Sequence, residues 1–108
     1  MAGTVVALRP TITMKALMFR ITEHIASGRL VLKLEGRFSS ACVTELDGCW
    51  REAVGSADGQ PVWVDLTDVD VVDIAGQQQL TRMHREGVRF LTRGPLMREL
   101  VREISESR

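Results

Sequence analysis

The chain has 108 residues, in which 14 Lys and Arg balance 14 Asp and Glu and 44% of positions are hydrophobic. That length supports one hydrophobic core and no second domain, and the apolar content argues against a disordered chain. The neutral balance argues against a nucleic-acid binder, which needs clustered basic side chains to displace counterions from phosphates.

No apolar run approaches the ~20 residues needed to cross a bilayer, so no direct membrane insertion is expected. The opening stretch, Met1 to Leu8, lacks the basic start and the long apolar run of a secretory signal. Residues 1–16 form the least regular part: Thr4 to Leu8 resembles a short strand, and Arg9-Pro10 interrupts it. Two readings stand, a loosely attached arm and an added edge strand. The domain proper is expected over residues 17–108.

Within it, residues 17–25 alternate loosely. Residues 29–38 place Leu30, Leu32 and Leu34 on one face against Val31, Lys33 and Glu35 on the other. With Ser27-Gly28 between them, the two stretches predict a β-hairpin. The period then changes. Cys42, Leu46, Cys49, Trp50 and Ala53 fall at helical spacing over residues 39–54, with Ser39 or Ser40 placed to cap the start. On such a helix Cys42 and Cys49 stand ~10 Å apart, beyond the ~7 Å reach of a disulfide, and both are expected as buried thiols in a reducing, cytoplasmic compartment.

Residues 61–66, Pro-Val-Trp-Val-Asp-Leu, suit a strand covered on both faces. A second helix is predicted over residues 73–85, stopping at Gly87, and a short strand over 88–92. Gly94-Pro95 starts a last helix with an apolar stripe of Leu96, Met97, Leu100, Val101 and Ile104. The order β-β-α-β-α-β-α implies an α/β fold, a mixed but mostly parallel four-stranded sheet with helices packed on it and an N-terminal arm or extra strand.

The segment Asp65-Leu66-Thr67-Asp68-Val69-Asp70-Val71-Val72-Asp73-Ile74-Ala75-Gly76 resembles the central motif of STAS domains, the family of the bacterial anti-sigma factor antagonists. Asp65, Leu66, Val69, Asp73 and Gly76 match that motif in place, and Leu34-Glu35-Gly36-Arg37-Phe38 resembles the Gly-turn the family carries before its first helix. The resemblance runs from about Phe19 to Ile104. It implies a non-catalytic module of signalling and transcription regulation, docking on a protein partner through the loop after the third strand and the start of the second helix. The partner-binding residues it implies are Asp73, Ile74, Ala75, Gly76, Gln77 and Gln78. In such antagonists the Ser before this Gly is phosphorylated by a kinase that is itself the anti-sigma factor, and the added charge breaks the complex.

Here Ala75 occupies that position and Ile74 precedes it, so neither side chain can accept a phosphoryl group. The expectation is an antagonist or scaffold that binds an anti-sigma factor or serine-kinase-like partner without this switch. Two alternatives remain: a STAS subunit of a larger assembly, docked on a transporter ATPase, and a small-ligand-binding domain using the crevice at the strand ends. A homodimer through the arm or the sheet edge is compatible with each.

Several residue types invite other chemistry. Asp73 reads equally as a helix cap. Asp65, Asp68, Asp70 and Asp73 lack the Gly and distal Glu of a calcium loop, and no metal or cofactor is expected. His24 and His84 fall on a strand and a helix without a nucleophile at a telling spacing, so no catalytic residue is assigned. Thr67 is the nearest hydroxyl to the docking loop and the alternative phosphosite.

Overall fold

The computed structural model describes residues 6–7 and 12–106. The strands are β1 (Val6–Ala7), β2 (Ile12–Met14), β3 (Phe19–Ala26), β4 (Arg29–Phe38), β5 (Trp63–Val72) and β6 (Arg89–Leu91); the helices are α1 (Ser40–Ser56), α2 (Ile74–Arg85) and α3 (Pro95–Glu106). A single 3-10 turn, Lys15–Leu17, separates β2 from β3. They form one six-stranded mixed sheet in which β3, β4, β5 and β6 follow one another and β1 and β2 both lie along the outer edge of β3.

The hairpin β3–β4 closes through Ser27 and Gly28, both at positive φ, which is the turn twist that matches two right-twisted antiparallel strands. Next come the parallel pairs β4–β5 and β5–β6, each joined by a helix. Because the order runs β4, β5, β6 without reversal, crossovers of one hand put both helices on the same face. All three helices contribute to one core with the sheet: Cys42, Leu46, Trp50 and Ala53 from α1, Leu80 and Met83 from α2, and Ile104 from α3.

Four expectations are corrected. β5 is not covered on both faces: Val64 and Leu66 are buried under the helices, while Trp63 and Asp65 alternate onto the open side, where Arg29 lies over the Trp63 ring at 4.7 Å. β5 also continues to Val72, where a loop was expected, with shifts of register against β4 that absorb the extra residues. The Gly-turn is no turn. Gly36 lies within β4 at φ +94, and a Cβ there would run into the carbonyl oxygen of Met18, whose chain crosses closely at this point. Fourth, Cys42 is buried but Cys49 is only half-buried; neither is in a disulfide.

Residues 1–16 are described only in part. β1 and β2 pair antiparallel with β3, Val6 opposite Ile25 and Ile12 opposite Ile21, so these segments lie in the sheet rather than apart from it. Counting them, antiparallel pairings outnumber parallel ones; within the four strands β3 to β6 the parallel pairings predominate.

Candidate functional site

The start of α2 is built by two residues of the matched motif. Asp73 sits in extended backbone at the N-cap, where its Oδ1 accepts from the amide of Gly76 at 2.8 Å. Its Oδ2 accepts from the amide of Ser40 at 2.9 Å, so one carboxylate caps α2 and ties down the first turn of α1. These hydrogen bonds hold the Asp73 carboxyl below its ordinary value, since they favour the charged form. The serine cap expected on α1 is absent: Ser39 occupies the N-cap position but makes no side-chain cap, and its hydroxyl lies 3.7 Å from the Cys42 thiol instead. The capping oxygen comes from 33 residues further along the chain.

Gly76 is buried. A Cβ there would stand 2.9 Å from the carbonyl oxygen of Phe38 and 3.1 Å from Val72, closer than packed atoms tolerate. The glycine therefore lets α2 approach the end of β4. Asp73 and Gly76 are spent on construction.

The residues between and after them face outward. Ile74 is 75% exposed and Val71 just before the loop is 46% exposed; among the described residues Leu96 of α3, at 81%, is likewise open to water. Val71 is in register with Arg37, whose amide donates to the carbonyl oxygen of Met18 at 2.9 Å; Met18 is itself 65% exposed. Ala75 is half-buried at the second position of the helix. Ile74, Gln77, Gln78, Thr81, Arg82 and Arg85 together line an open groove of about 570 Å³, all six from α2.

The third glutamine points the other way. Gln79 is 1% exposed; its Nε2 donates to Asp47 Oδ1 of α1 at 3.1 Å, and its Oε1 accepts from Arg82 Nη1 at 3.1 Å. Arg51 donates to the other oxygen of Asp47 at 3.0 Å. Burial pushes the Asp47 carboxyl up, but the bonds from Gln79 and Arg51 outweigh it and hold the group below its ordinary value. Gln79, Arg82, Arg85 and Val71 were not singled out from the sequence. The signal for Gln79 was its helical spacing from Gly76 and Met83, and for the arginines their spacing from Ile74.

The other candidates do not converge. Asp65 Oδ1 accepts from the Thr67 amide at 2.9 Å, Asp68 pairs with Lys33 at 3.0 Å and Asp70 is exposed. No group of three His, Cys, Asp or Glu able to hold a metal occurs among the described residues. His84 stacks on Phe90, on the helix side of the sheet; His24 is in register with Val31 and Trp63 on the open side. Thr67 is half-buried in β5 rather than on the docking loop. Nor does the order of the described strands reverse, so they form no switch-point crevice of the kind that holds ligands in doubly wound folds. Among the described residues no helix is long and apolar enough to cross a membrane.

No protein-family model and no curated protein matches the chain. Solved structures do, among them the following two. An uncharacterised protein of the DUF3478 family from Shewanella loihica PV-4, described as having a SpoIIAA-like fold, aligns with a TM-score of 0.56 at 12% identity, over 85% of this chain and 80% of its own. A structure described as a crystal structure analysis of Mglu aligns with a TM-score of 0.51 at 19% identity, over 68% of this chain and only 19% of its own. At such identities the likeness establishes the fold: this chain has the SpoIIAA-like fold, that of the STAS and anti-sigma antagonist domains it resembles in sequence.

Proposed function

We propose that this protein is a non-catalytic, cytoplasmic regulatory module that binds another protein through the β5–α2 loop and the outer face of α2. The observation that carries this reading is Ile74, 75% exposed as the first residue of α2, three positions after the exposed Val71 and ahead of an unbroken polar stripe. An isoleucine held in water gains nothing for folding, whereas covering it on binding is favourable by about 1.5–3 kcal/mol. The groove offers one apolar anchor, amides and guanidinium groups. Its single hydroxyl, Thr81 Oγ1, donates to the Gln77 carbonyl oxygen at 2.9 Å, so its groups suit contact rather than bond-making. Because Ala75 has no hydroxyl, the binding is constitutive at this position; the partner class it fits is an anti-sigma factor or serine-kinase-like protein.

Affinity capture from native extract tests this. The tagged wild type is compared with Ala75→Asp and Ile74→Asp. An aspartate near a helix N-terminus favours the helix, so neither change should unfold the chain. The expected outcome is a specific soluble partner whose affinity falls at least roughly tenfold in each variant. A partner held equally by all three proteins removes this surface from the interface. The Mglu likeness covers 19% of a longer chain, and a second reading is that this fold serves here as a subunit of a larger assembly. Recovery of a transporter ATPase would select it.

A further inference from the structure

We infer that the segment received by the outer face of α2 is an acidic amphipathic helix of the partner protein, with an apolar side chain on Ile74 and carboxylates at Arg82 and Arg85. We further infer that Gln79 is the residue that positions Arg82 for it. The inference rests on the docking reading above and adds the chemistry of the partner.

The stripe Ile74, Gln77, Gln78, Thr81, Arg82 and Arg85 is apolar at one end, neutral in the middle and basic at the other. α2 holds no acidic residue, although the whole chain is balanced at 14 charges of each sign, so the local excess is one of placement. Helical rise puts Arg82 ~12 Å and Arg85 ~17 Å along the axis from Ile74. A facing helix with a large apolar residue and carboxylates two to three turns away meets the three together. Basic residues in the last turn also suit the helix dipole, which would account for arginines there whatever they faced.

Arg82 is held in a way the dipole does not require. Gln79 is buried and its Nε2 is committed to Asp47, which turns its Oε1 toward Arg82 Nη1. Asp47 is fixed in turn by Arg51. A guanidinium carries five N–H donors, and this relay uses one of them while restricting the side chain, leaving the rest for a paired contact to a carboxylate. A phosphate polymer would exploit the two arginines but not the isoleucine and amides that make up the rest of the stripe.

The test titrates the full-length, isotope-labelled chain with two synthetic amphipathic helices. One carries leucine with glutamates two and three turns on; the other replaces those glutamates by lysine. The expected result is saturable amide shifts confined to residues 74–85 with the glutamate helix alone, weakening with salt, and roughly tenfold weaker in Arg82→Gln/Arg85→Gln. Gln79→Met, which keeps the volume, should cost affinity in the wild type but nothing further once Arg82 is already Gln. A merely structural role for Gln79 would cost the same in both backgrounds. Absence of saturable binding, equal binding of the lysine helix, or the same shifts from heparin would overturn the proposal, the last in favour of a generic polyanion site. Capturing the partner with both variant sets separates the two readings. A partner lost with Ile74→Asp but kept by Arg82→Gln/Arg85→Gln leaves the docking surface standing and refutes the acidic partner; a partner kept by both refutes the surface.

Discussion

The inner and outer faces of α2 are drawn from the same twelve residues and meet opposite demands. Inward, Gly76, Gln79, Leu80 and Met83 are packed against the sheet and α1, with a glycine where the backbones come closest and a glutamine where two helices share a hydrogen bond. Outward, Ile74, Gln78, Arg82 and Arg85 are exposed, with Arg82 tethered to Gln79 by a hydrogen bond. The residues that make the segment recognisable, Asp73 and Gly76, belong to the construction of the helix start. What any partner would read lies in the positions between and beyond them.

The most direct way to break this contrast is Gly76→Ala. Overpacking against Phe38 and Val72 costs about 1–3 kcal/mol, against a gain of about 1 kcal/mol from replacing a helical glycine. The clash involves the Phe38 carbonyl oxygen, which is backbone and cannot turn aside, so the net change is a loss. Calorimetry should show Tm falling by several degrees, whereas Ile74→Ala on the outer face should stay within about 0.5 kcal/mol of wild type.

Asp73→Asn sharpens the division within a single side chain. Asn still caps α2 by accepting from Gly76, but it cannot accept from both Gly76 and Ser40 with oxygen, since its second polar atom is a donor. The tie to α1 should be lost while α2 stays capped. Because the wild-type carboxyl is held below its ordinary value, its contribution is complete above the unfolded pKa of about 4 and disappears as pH falls through the lower folded value. Tm measured across acidic pH should therefore separate the two proteins at neutrality and bring them together in acid. A constant gap would mean that the charge of Asp73 does not matter.

The smallest effect is expected on the open side of the sheet. Lys33 and Asp68 are partly exposed, and pairs of this kind contribute about 0.2–1 kcal/mol. The hydrogen bond to Asp68 is the main influence raising the Lys33 pKa. Its contribution is complete below the unfolded pKa of about 10.4 and is lost as pH rises through the higher folded value. Lys33→Ala should lower Tm slightly, and high salt should erase the difference between variant and wild type.

Much of this architecture was legible along the chain because its signals are local. Alternation in Leu30, Leu32 and Leu34, the Ser27-Gly28 turn and the helical spacing of Cys42, Leu46 and Trp50 each depend on a few neighbouring residues. The candidate site was legible to the extent that it is one contiguous segment: Asp73 to Gln78 do lie together at the start of α2. Resemblance identified the residues of the turn but could not divide them into those that hold it and those that present it. Asp73 looks like a local cap, and half of its work is done for a helix 33 positions away.

The sequence by itself determined the element order from β3 onward, the fold class and the absence of a hydroxyl at Ala75, since chemical identity and short-range periodicity need no coordinates. Only the tertiary structure decided that all three helices share one face, that β5 runs on to Val72 with one side open, that Ser39 yields its cap to Asp73 and that Gln79 turns inward while Gln78 turns out. Each of these depends on which distant segment arrives to fill a face, accept an amide or exclude water, and such partners are chosen by the packing of the whole chain.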